Sequence, residues 1–242
     1  RPARASEAVS ALQSSQWQQL SNEMELMQVS SALGTRLTAI KIPIEKFKFP
    51  VVQQTGSKGE RASAALERLD ADLVVNGGFF RANEAGDLFP VGLLVDDGVR
   101  IGTPWASVGG FVAIDQDGLP TISLSSEALG SVTQEAIQSR PVLIEKGGQW
   151  AMRTNGTELE RRTLVCQLAD KDIIILIVGG SGLTLFEAGW LFRNQHWGGF
   201  FGCDSAIALD GGGSTQLAVK ERSDLAISGL TRVQSLLVVS KR

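Results

Sequence analysis

Short apolar runs that stop at glycine recur along this chain, and that rhythm constrains its fold more than any other feature. The 242 residues include 27 glycines. Residues 93–95 run into Asp96-Asp97-Gly98, 111–114 into Asp115-Gln116-Asp117-Gly118, and 142–144 into Lys146-Gly147-Gly148. Runs of this kind, bounded by turn residues, read as strands joined by tight turns. Residues 164–168 and 173–178 flank Ala169-Asp170-Lys171-Asp172 in the same way, and 24–29 and 37–42 alternate as a hairpin across 30–34. A last strand covers 235–239. Helical signals are fewer. Ser57-Lys58-Gly59-Glu60 has the spacing of a capping box, with Ala62, Ala65, Leu66 and Leu69 on one face behind it. Thr184 opens a helix that runs to about Phe192. Residues 1–22 are rich in Ala, Ser and Gln and read as a helix or tail, with Trp17 and Leu20 at helical spacing. The expected fold is α+β: one domain over 23–242, with a mixed, largely antiparallel sheet and packed helices.

Composition narrows the function. The net charge is −3 with no run of lysine and arginine, so the chain lacks the electrostatic footprint of a nucleic-acid binder. A single histidine excludes a poly-histidine metal site within one chain. The longest aliphatic run, 173–178, is far short of the ~20 residues of a spanning helix. Cys166 and Cys203 leave two readings open: a disulfide in an oxidising compartment, or two small buried thiols, the reading favoured by size and apolarity. The sequence begins at Arg1 rather than Met. That start leads us to expect a removed signal peptide or anchor, and a secreted or periplasmic protein.

Four blocks carry possible chemistry. Asn76-Gly77-Gly78-Phe79-Phe80 ends an apolar strand; Asn76 offers donor and acceptor, and the glycines free backbone N–H groups for an anion. The plainer account is a glycine turn capped by core phenylalanines. Arg162-Thr163 opens a strand, and the planar arginine fork suits a phosphodiester; beside Arg161 it also fits an ordinary surface charge. Gly180-Ser181-Gly182-Leu183-Thr184 leads into a helix with Glu187 in its first turns, either a second carboxylate for chemistry or the partner of Thr184 in a capping box. Leu209-Asp210-Gly211-Gly212-Gly213-Ser214 sets a carboxylate before three glycines, one more than a turn needs. Other readings fail: there is no P-loop, no dinucleotide fingerprint after Gly180, and no nucleophile elbow. Asp115, Asp117 and Gly118 lack the remaining ligands of a calcium loop, and His196 reads as a loop histidine packed on tryptophan.

In order and spacing these blocks resemble the phosphodiester glycosidase family. Asn76 to Phe80, Gly92 to Gly98, Ala136 to Gly147, Arg162-Thr163, Gly182 to Glu187 and Leu209 to Ser214 match its pattern, and the likeness spans about 23–240. Arg140 departs from it, standing where a small residue is expected before Pro141; Cys166 stands where glycine is common. The resemblance implies a hydrolase that cleaves the glycosidic bond of a sugar-1-phosphate diester, with a sugar-phosphate or glycan as substrate; the sequence offers no cofactor motif and no convincing metal site. It implies catalytic roles for Asp210, Arg162, Asn76 and Glu187. Gly77, Gly78, Phe79, Arg140, Thr163, Gly182, Gly211, Gly212, Gly213 and Ser214 would bind substrate. A non-catalytic glycan-binding module in envelope assembly is the alternative, and a phosphodiesterase that breaks the P–O bond a third reading.

Overall fold

A computed structural model describes residues 2–127, 129–130 and 133–242. All strand pairings among the described residues are antiparallel. Three α-helices accompany them: α1 (Ala3–Gln13), α2 (Ala62–Leu69) and α3 (Leu185–Phe192). The fold is therefore the expected antiparallel sheet with packed helices, and richer in strand than a balanced α+β protein. The chain divides into two compact units, one from 1–44 and 141–212, the other from 45–140 and 213–242.

The first unit is an eight-stranded sheet. Its order is Gln18–Gln19, Glu25–Ser30, Thr35–Ile42, Ile173–Leu183, Glu160–Gln167, Ser205–Ala208, Val142–Glu145 and Gln149–Trp150. The hairpin expected across 30–34 forms, with Ser30 facing Arg36. Alternation places Ile174, Leu176 and Val178 on one face, where they meet Leu37, Ala39, Leu164 and Ala208. α1 covers that cluster through Ala8, Val9 and Leu12, and α3 through Ala188, Leu191 and Phe192. In α1 the buried positions Ala5, Ala8, Val9 and Leu12 follow the i, i+3, i+4, i+7 spacing of a single helical face. The helix stops before Trp17: Gln18–Gln19 already pairs as a strand, so Trp17 and Leu20 lie outside it.

Cys166 and Cys203, both buried, form a disulfide with Cα atoms 5.7 Å apart. The reading of two separate thiols is thus corrected. Cys166 sits opposite Ala206 in the ladder, which brings Cys203, just before that strand, within bonding reach.

The second unit holds a five-stranded sheet ordered Val99–Ile101, Leu94–Asp96, Thr133–Ser139, Gly110–Asp115 and Pro120–Leu124. Another sheet orders Leu217–Val219, Leu73–Asn76, Ser235–Lys241 and Phe47–Lys48, with Val51–Gln53 also on the Ser235 strand. Phe80–Ala82 and Leu88–Pro90 form a hairpin. Asp97-Gly98 makes the two-residue turn read from sequence, with Asp96 facing Val99.

The capping box expected at Ser57 is absent. α2 starts at Ala62, and Gly59 has φ +74°, outside the helical region. Ser57 instead closes a local turn: its Oγ donates to the Gln54 carbonyl and accepts from Gly59 N–H. The cap of α2 comes from far away in sequence, since Ala62 N–H donates to Gln216 Oε1 at 2.7 Å. Ala62 and Ala65 are buried on the α2 face, whereas Leu69 is exposed.

Candidate active site

In the first unit, the strand Glu160–Gln167 places Arg162 at the mouth of a ladder irregularity. Glu160 pairs with Leu183 but Arg162 pairs with Val178, so Gly179 to Gly182 loop away from it. Gly182 has φ +74°, and a Cβ there would lie 2.6 Å from the Glu160 carbonyl oxygen; only glycine fits. The released Leu183 carbonyl accepts from Arg162 Nε at 3.1 Å, and the Glu158 carbonyl from Nη2 at 2.9 Å. Burial pulls the Arg162 guanidinium below its ordinary pKa, and the Glu160 and Glu158 carboxylates pull the other way.

The neighbouring strand Ser205–Ala208 carries the aspartate. Leu164 pairs with Ala208, and Leu209 N–H donates to the carbonyl of buried Thr163 at 2.9 Å. Carrying that register two residues on sets Asp210 opposite Arg162. Asp210 is half-buried, and its Oδ1 accepts from Gly211 N–H at 2.9 Å. A Cβ on Gly211 would lie 2.8 Å from the Arg161 carbonyl and 3.8 Å from Arg162 Nη1. The third nitrogen of the guanidinium therefore faces the backbone next to Asp210. A Cβ on Gly212 would lie 3.5 Å from Glu160 Oε2. The unit thus gathers Arg162, Asp210, Gly211, Gly212 and Glu160. Sequence reading did not single out Glu160, although its position two before Arg162 on one strand, hence on the same face, was a usable signal.

Glu187 is buried in a complete capping box at α3: its Oε2 accepts from Thr184 N–H, and its own N–H donates to Thr184 Oγ1, both at 3.1 Å. The carboxylate is occupied in capping the helix N-terminus.

In the second unit, Asn76 is fully buried, and its Oδ1 accepts from Gln216 N–H at 3.2 Å. It so fixes the segment after Gly213 and Ser214. The Gly213 carbonyl accepts from Leu230 N–H, and Ser214, also buried, accepts through its carbonyl from Gln216 Nε2. The glycine corner behaves differently from the expectation of anion-binding N–H groups. Gly77 N–H donates to the Ser235 carbonyl at 2.8 Å and Gly78 N–H to Ser235 Oγ at 3.1 Å. Cβ atoms at these positions would meet Ser235 Oγ at 2.4 Å and Ile137 at 2.8 Å, so close packing accounts for both glycines. Phe79 is half-buried, with its ring 6.3 Å from that of Trp105, and the exposed Arg140 lies over Trp105 at 5.0 Å.

His196 is exposed and edge-on to Trp197. The side chain of Asp115 accepts from Asp117 and Leu119 N–H, which makes it a turn residue. Among the described residues no three His, Cys, Asp or Glu side chains group as a metal would require, and no helix is long and apolar enough to cross a membrane.

An antiparallel sheet fold whose motif-bearing strand ends gather an arginine beside an aspartate–glycine loop defines a class, and the sequence profile of that class matches. The phosphodiester glycosidase profile covers residues 70–239, and the chain belongs to that family. Three solved structures share the fold. The catalytic domain of zebrafish N-acetylglucosamine-1-phosphodiester alpha-N-acetylglucosaminidase, auto-inhibited by its pro-peptide, aligns with TM-score 0.59 and 16% identity over 94% of this chain and 88% of that one. A hypothetical protein of Synechocystis aligns with TM-score 0.58 and 14% identity over 90% and 62%. A candidate exported protein of Burkholderia pseudomallei aligns with TM-score 0.62 and 14% identity over 90% and 74%. No curated protein sequence is similar enough to this chain to count as a match.

Proposed function

We propose that this protein is a hydrolase that cleaves the glycosidic bond of a sugar-1-phosphate diester, on an envelope or extracellular glycan. One observation carries the reading: two family blocks distant in sequence meet in one ladder, where Leu164 faces Ala208, Leu209 N–H donates to the Thr163 carbonyl, and Arg162 Nη1 lies against Gly211. Breaking the bond between the anomeric carbon and the phosphate oxygen puts positive charge on the sugar and negative charge on the leaving phosphate. Arg162, held by two carbonyls, takes up the phosphate charge without reorganising. Asp210 stabilises the anomeric carbon, and water adds there as the phosphomonoester departs. Glu160 is the second carboxylate in this scheme, and Glu187 positions the Leu183 end of the clamp. Asn76 positions the chain that follows the triple glycine. Buried Thr163 anchors the aspartate loop, its carbonyl accepting from Leu209 N–H. The disulfide supports export to an oxidising compartment, the periplasm or beyond.

The test is incubation with a panel of sugar-1-phosphate diesters, nucleotide sugars included, in isotopically labelled water. Free sugar should appear by mass spectrometry with the label on the sugar. Asp210→Asn should lose about 1,000-fold or more in turnover while remaining folded. Label in the phosphate would replace the glycosidase with a phosphodiesterase, and undiminished turnover by Asp210→Asn would remove that residue from the chemistry.

A further inference from the structure

Three blocks of the family pattern converge, within the second unit, on a tryptophan outside that pattern. Trp105 lies in a loop whose neighbours Thr103, Pro104, Ala106, Ser107 and Val108 are all exposed. Its backbone is nevertheless fixed on both sides by one buried side chain. Gln138 Oε1 accepts from Trp105 N–H at 2.9 Å, and Gln138 Nε2 donates to the Trp105 carbonyl at 2.8 Å. The same amide also accepts from Leu93 N–H and donates to Ser125 Oγ, so its capacity is fully used and its orientation set. The indole rests on Gly92, where a Cβ would come within 3.2 Å of Cζ2, and beside Phe79. Arg140 places its guanidinium 5.0 Å from the indole centroid. It forms no salt bridge among the described residues. An exposed arginine pays rotamer entropy to be held in one place; here a pinned aromatic ring holds its guanidinium, which is exposed and carries donors suited to an anion.

We infer that the Gln138–Trp105–Arg140 relay builds an anion subsite within this unit, in which Trp105 is a positioning residue and Arg140 binds a phosphate group. The inference rests on the proposed sugar-phosphate chemistry for the identity of that anion. Because Arg140 replaces the small residue of the family pattern, the subsite would set this chain's preference among diesters.

Calorimetric titration with inorganic phosphate and with a hexosamine 1-phosphate tests it on wild type, Arg140→Ala, Trp105→Ala, Trp105→Phe and the Arg140→Ala/Trp105→Ala double variant. Arg140→Ala should weaken both ligands about tenfold or more, the loss of charged hydrogen bonds. Trp105→Ala should weaken them about two- to fivefold, and Trp105→Phe should restore most of that. The double variant should bind no worse than Arg140→Ala, since the ring acts only through the guanidinium. Unchanged binding in Arg140→Ala or Trp105→Ala, additive losses in the double variant, or no binding by wild type would each overturn the subsite. Turnover is read separately. A wild type that binds in this pattern yet cleaves no diester sinks the hydrolase and keeps the subsite. A wild type that cleaves while the variants bind normally does the reverse.

Discussion

Arg162 spends Nε on the Leu183 carbonyl and Nη2 on that of Glu158 and turns Nη1 toward Gly211. A lysine keeps the charge but cannot fill three directions from one plane. Arg162→Lys should fold and lose about 100-fold in kcat/KM, as expected for one to two charged hydrogen bonds; steady-state kinetics at matched folded concentration would expose an equal rate as a failure of the clamp. Glu135 tells a pH story. Burial raises its pKa, the Val51 N–H bond opposes that, and Asp96 and Asp97 add to the rise. A carboxyl raised in the folded state contributes stability that is complete below its unfolded pKa and is lost as pH climbs through the folded value. Glu135→Gln should therefore remove that decline and raise Tm relative to wild type at neutral pH, with the gap closing in acid. A gap that widens in acid would reverse the sign and the argument.

At the level of elements, legibility followed sequence distance. The hairpin across 30–34, the Asp97-Gly98 turn and the Thr184–Glu187 box are closed by neighbours in the chain, and their residues announce them. The start of α2 is not, because its cap is Gln216, and Gly59 breaks the local box that the spacing at Ser57 mimics. Gly77 and Gly78 looked like ligand-approach glycines for the same reason: the packing partner Ser235 lies over 150 residues away. The Arg162–Asp210 register was equally hidden, since motif order says nothing of which strands are neighbours. The two helix caps separate these cases by experiment. Thr184→Ala removes two bonds, the cap bond from Glu187 N–H and the donation to Asn155 Oδ1, and should cost about 1 kcal/mol, whereas Gln216→Ala strips three partners, Ala62 N–H and the Ser214 and Thr231 carbonyls, and should cost about 2–4 kcal/mol. Urea unfolding of both variants would show the distant cap to be the weaker element only if the order reverses.

Over the whole molecule, each compact unit is assembled from two separate stretches of chain, so neither can be excised as one piece. The first unit joins 1–44 to 141–212, and its only covalent fastening besides the backbone is the Cys166–Cys203 bond, across a sequence separation of 37. The sequence favoured two thiols, because what decides for pairing is Cys166 facing Ala206 in a ladder. That ladder is the one with Arg162 at one strand's start and Asp210 just past the other's end. Closing a loop of this length should stabilise the fold by about 3–4 kcal/mol through the unfolded chain, which for a chain of this size corresponds to a Tm change on the order of 10 °C. The bond is also buried, with Cys166 at 0% and Cys203 at 3% exposure, so a reductant reaches it only when the unit opens. Two outcomes follow together. Brief treatment of native protein with dithiothreitol should leave Tm unchanged, while unfolding and refolding in dithiothreitol should lower it to that of Cys166→Ala/Cys203→Ala. Rapid loss in the native state would mean the unit opens far more readily than its packed core allows, and an unchanged Tm in the double variant would mean the cross-link closes no costly loop.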